Sequence, residues 1–77
     1  MKYVIKHNIP HFPHKEMKFA EKDKENALFL FRYLENRAIK AGYPVKSFVR
    51  ESENKPLRAT LQIEVDSFTY YAELFAQ

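Results

Sequence analysis

The chain has 77 residues, with one glycine, no cysteine and no tryptophan, and its 13 Lys and Arg against 10 Asp and Glu give a formal charge of +3. A chain of this length makes one domain, residues 1–77, and buries only about 60% of the surface it exposes when unfolded, which excludes a Rossmann unit, a barrel or an interdomain cleft. Without cysteine there is neither a disulfide framework nor a thiolate ligand. The longest uninterrupted apolar run, residues 27–31, falls far short of the roughly 20 residues that a membrane span requires, so the expected setting is the cytoplasm, with no leader segment and no membrane partner.

In chain order, residues 2–6 alternate, with Tyr3 and Ile5 on one side and Lys2 and Lys6 on the other, which predicts an opening strand. Residues 7–14 carry two prolines, which remove backbone donors and push their predecessors toward extended geometry; this reads as a loop. Over residues 15–20, Met17 and Phe19 alternate with charged neighbours. That pattern suits a short strand and an extended lead-in equally.

The strongest signal follows. From Ala27, the residues Leu30, Phe31, Leu34, Ala38 and Ala41 recur at helical spacing and form one apolar stripe. Asp23 is placed to supply an N-cap oxygen, Glu25 puts negative charge on the first turn, Lys40 lies on the last turn, and Gly42 suits the left-handed conformation that stops a helix. A helix bounded by residues 23–42 is predicted.

Residues 45–51, rich in Val and Phe, read as a strand, and residues 52–56 as a polar turn. Leu57, Ala59, Leu61, Ile63 and Val65 alternate strictly with polar residues. These two segments form an antiparallel hairpin with a loop of about five residues. The tail fits two patterns: Phe68, Tyr70, Ala72 and Leu74 suit a strand, whereas Phe68, Tyr71, Ala72 and Phe75 suit a short helix. Consecutive aromatics and Thr69 favour the strand. The fold class is therefore α+β: a small antiparallel sheet of three or four strands with one long helix packed on one face, in the order β-α-β-β-β, its last element strand or short helix.

Twelve aromatic residues are more than so small a core can hide. Two of them stand out. Phe29 and Tyr33 lie at i, i+4 on the side of the helix away from Ala27, Phe31 and Leu34, and Arg32, Asn36, Arg37 and Lys40 surround them on the wheel. Aromatic rings with Arg are enriched in protein-binding hot spots, and rings beside cations also suit stacking on bases with phosphate contacts. The bland reading is a wide core stripe with Tyr33 at its edge and Phe29 tucked under the N-terminal loop.

His7, His11 and His14 fall within eight residues. Three converging imidazoles, or two with Glu16, are what a first-row metal needs, yet nothing in a proline-bearing loop fixes their directions, so no metal is expected and the three form a secondary binding loop. A single histidine can serve a small basic nuclease, but no companion Lys or Tyr has a diagnostic spacing, and one glycine leaves no phosphate loop or nucleophile elbow. Neither an enzyme nor a bound cofactor is expected. The basic residues all precede position 59, and Glu64, Asp66 and Glu73 follow it. A tail edge ending in Leu74 and Phe75 with few charges invites edge pairing into a homodimer.

In size, aromatic load and lack of a catalytic signature the chain is similar to the small proteins encoded by bacteriophages, which as a class often bind and inhibit a host enzyme or defence complex. That likeness is one of style and matches no motif. Together with the misplaced Phe29 and Tyr33 pair it leads to the expectation of a non-enzymatic protein-binding module, a phage-type inhibitor of a host enzyme or nucleoprotein defence complex, acting through the basic and aromatic helix face on a larger protein or nucleoprotein complex. The alternative is a small RNA- or DNA-binding protein using the same basic surface.

Overall fold

The computed structural model describes residues 1–52 and 54–77. Five strands and one helix follow in the order β1 (Tyr3–His7), β2 (Glu16–Phe19), a 3₁₀ turn (Glu21–Asp23), α1 (Lys24–Lys40), β3 (Val45–Ser52), β4 (Lys55–Val65) and β5 (Phe68–Ala76). All neighbours pair antiparallel, in the spatial order β2-β1-β5-β4-β3. The chain is an α+β domain.

Three expectations are corrected. The sheet has five strands rather than three or four, because Met17 pairs with Ile5 and Phe19 with Tyr3, which places both apolar side chains on the helix side and recruits residues 16–19 as an edge strand. The tail is a strand, but not an edge: β5 lies between β1 and β4 in the centre of the sheet. From Ala72 to Phe75 it is paired with both neighbours, so edge pairing through Leu74 and Phe75 has no free ladder to use. Third, Asp23 occupies the N-cap position of α1 without a side-chain cap bond, since it is itself part of the 3₁₀ turn, with φ −100° and ψ 20° in place of the extended geometry that capping needs.

The other end of α1 closes as its residues suggest. Gly42 has φ +84°, its N–H donates to the Ile39 carbonyl, and the Tyr43 N–H donates to the Ala38 carbonyl at 3.1 Å. These are the two bonds of a Schellman stop. The β3–β4 hairpin runs further than the expected turn allows, to Ser52 and Lys55, with a register shift between Arg50 and Ser52; of the predicted turn, Glu53 lies outside the described residues. Pro56 sits beside this irregularity, where a missing N–H disturbs the ladder least.

The helix packs on one face of the sheet. Ala27, Phe31, Leu34 and Ala38 meet Tyr3 and Ile5 of β1, Leu57, Ala59, Leu61 and Ile63 of β4, and Ala72 and Leu74 of β5. The alternation of β4 thus becomes one dry and one wet face, as its period requires. On the wet face Arg50 stands opposite Arg58, and Arg58 pairs with Glu73 at 2.6 Å. Lys24 at the start of α1 pairs with Glu51 of β3.

Candidate functional site

The helix face that the sequence singled out is turned to solvent. Phe29 is 74% exposed and Tyr33 43%, while Phe31 between them is fully buried. At about 100° per residue, Phe29, Arg32, Tyr33, Asn36 and Lys40 fall on the side opposite Ala27, Phe31, Leu34 and Ala38. Arg37 lies about 80° round from Phe29, toward the core stripe, and so stands at the border between the exposed face and the sheet. The bland reading applies only to Tyr33, which is half covered; Phe29 is not tucked under the N-terminal loop but open to solvent.

The cations on this face differ in their pairing. Arg32 lies 3.8 Å from Glu35. The Arg37 guanidinium is 5.9 Å from the centroid of Tyr33 and 5.4 Å from that of Phe12, and it donates one long hydrogen bond, 3.4 Å, to the Tyr33 hydroxyl. Such cation–ring contacts contribute about 0.5–1 kcal/mol each at exposed sites. Asn36 and Lys40 are exposed.

Arg37 also lines a cleft of about 400 Å³. Its floor is Leu34 and Ala38 of α1 with Ile63 and Val65 of β4, and the loop between β1 and β2 closes one side through Ile9 and Phe12. Tyr43 and Tyr70 stand on the rim, Tyr70 with its ring stacked 6.4 Å from that of Phe68. None of the lining residues is acidic. The volume lies within the range of about 300–1,000 Å³ typical of ligand pockets. Sequence reasoning missed this cleft, although two apolar residues, Ile9 and Phe12, inside a polar, proline-bearing loop were the signal: such residues must cover something.

The three histidines lie in different surroundings. His7 is the last residue of β1 and is only 3% exposed, so its assignment to a solvated binding loop is corrected: alternation along β1 puts it on the core side with Tyr3 and Ile5. Its Nδ1 accepts the Ile9 N–H at 3.1 Å, which leaves the proton on Nε2, an atom buried without a hydrogen-bond partner. Its ring meets Phe12 edge-on at 6.0 Å. Burial holds its pKa below the ordinary value, with the backbone of His14 opposing and the Lys15 charge adding to the fall. His11, in the left-handed region at φ 72°, borders the cleft, and His14 is exposed. Among the described residues no three His, Asp or Glu are grouped to hold a metal ion, and no helix is long and apolar enough to cross a membrane.

The open face of the sheet carries exposed rings as well, Phe48 and Tyr71. By register they share that face with Glu16, Glu64 and Glu73 and with Lys6, Lys18, Lys46, Arg50 and Arg58. Its charge is mixed, whereas the exposed face of α1 is basic and aromatic.

Comparison with protein-family models, with curated proteins and with solved structures finds no match. The fold and site define an α+β domain with an exposed aromatic and basic helix face beside an apolar cleft.

Proposed function

We propose that this chain is a non-enzymatic protein-binding module whose working surface is the exposed face of α1, with Phe29 and Tyr33 as anchors and Arg32, Asn36, Arg37 and Lys40 around them. The observation that carries the reading is the exposure of Phe29: a phenyl ring held 74% open on a helix contributes little to folding, and its apolar area is available for burial against a partner. The partner is a larger protein, alone or within a nucleoprotein complex, with an apolar hollow for the two rings and acidic groups facing Arg37 and Lys40.

A nucleic acid would use the same cations. One feature favours a protein instead: Arg32 is already paired with Glu35, which leaves Arg37 and Lys40 as the cations of this face without an ion pair among the described residues, fewer than a phosphate backbone engages.

The test is affinity capture from nuclease-treated lysate with the wild-type chain and with Phe29→Ala/Tyr33→Ala. The double variant is expected to fold normally and to lose the captured protein. A double variant that retains it removes the helix face as the binding surface. Binding that instead vanishes with nuclease treatment and falls steeply with salt marks a nucleic-acid ligand.

A further inference from the structure

Arg37 belongs to two features at once, the basic helix face and the rim of the cleft beneath the β1–β2 loop. We propose that the cleft receives an acidic-apolar peptide segment of the partner, with a large apolar side chain on the floor formed by Leu34, Ile63 and Val65 and an adjacent carboxylate on Arg37. This inference rests on the protein-binding reading of α1 and extends it to the chemistry of the bound segment.

Three observations select this occupant. The floor is aliphatic and the rim aromatic, which suits a Leu, Ile, Phe or Trp side chain rather than a polar group. The only fixed charge on the lining is Arg37, with no acid beside it, and among the described residues Arg37 makes no ion pair. Its guanidinium is already held against the Phe12 and Tyr33 rings, so little side-chain freedom remains to be lost when it takes a carboxylate in its two-pronged geometry.

One cation is too few for a phosphate chain, whose binding strength grows with the number of phosphates neutralised. The continuity of the surface argues for a peptide over a free small acid. From Arg37 to Phe29 is about 12 Å along the helix, a distance that about four extended residues cover. A segment anchored in the cleft therefore runs directly onto the Phe29/Tyr33 face.

Selection of displayed random dodecapeptides against the wild-type chain, Arg37→Met and Ala41→Trp tests the proposal. Ala41 lines the cleft from an exposed position after the last turn of α1, so a tryptophan there fills the mouth without entering the core. Peptides enriched on the wild type are expected to carry Asp or Glu within two positions of a large apolar residue. Arg37→Met is expected to weaken them about five- to tenfold, as loss of a partly exposed charge-assisted pair does, and to lose the acidic preference while keeping the apolar one. Ala41→Trp is expected to abolish binding. Enrichment of any other pattern, or binding that both variants leave intact, overturns the proposal. A native partner lost by Phe29→Ala/Tyr33→Ala but kept by Ala41→Trp rejects the cleft alone; a partner kept by Phe29→Ala/Tyr33→Ala rejects the helix-face reading itself.

Discussion

The Arg37 guanidinium lies 5.4 Å from the centroid of the Phe12 ring, and this contact ties the loop between β1 and β2 to the C-terminal half of α1. A double-mutant cycle with Phe12→Leu and Arg37→Met should return a coupling of about 0.5–1 kcal/mol in urea unfolding, the size of a partly exposed cation–ring contact. Strictly additive effects would show that the loop is held by its apolar residues alone.

Phe29 and Phe31 are two residues apart and should respond oppositely to truncation. Phe31→Ala empties the centre of the core and should cost about 3–5 kcal/mol; Phe29→Ala, at a position 74% exposed, should stay within about 0.5 kcal/mol of wild type. Chemical denaturation of the two variants measures the contrast directly.

His7 gives the fold a pH dependence whose sign follows from its burial. Its folded pKa is held below the ordinary histidine value, about 6.5, so below about pH 6.5 the unfolded chain binds more protons than the native one, and stability falls as the pH falls from that value toward the folded pKa. The midpoint of thermal unfolding should therefore drop on acidification from pH 7 toward pH 5. His7→Gln, which keeps an acceptor for the Ile9 N–H, should flatten that part of the profile. An unchanged slope would assign the effect to other groups.

Gly42 occupies a left-handed conformation, φ +84°, with open space where a Cβ would project. Gly42→Ala should cost about 1 kcal/mol through backbone strain alone, and Gly42→Asn should recover part of it, because asparagine tolerates that region. Unfolding of both variants by circular dichroism checks the ranking. A larger loss for Gly42→Asn than for Gly42→Ala would point to a steric cause.

Much of the local structure was legible in the residues. The spacing of Ala27, Phe31, Leu34 and Ala38 gave away the buried side of α1, and by subtraction the exposed side that carries Phe29 and Tyr33. The strict alternation from Leu57 to Val65 marked the wet and dry faces of β4. The Asp23 cap failed because the preceding turn, a product of the approach from β2, took that residue out of capping geometry.

Periodicity tells which side of a segment is apolar, because it reflects the repeat of a single helix or strand, and for α1 and β4 the chain order alone was enough, whereas the tail fitted both repeats until its pairing with β1 and β4 made it a strand. Which neighbour covers each apolar side is a matter of long-range pairing. Only the tertiary structure decided that β5 is central, that residues 16–19 add an edge strand, and that His7 is buried. The cleft is the clearest case: Phe12, Arg37, Val65 and Tyr70 are scattered along the chain, and they meet because α1 and the β1–β2 loop are laid over the same end of the sheet.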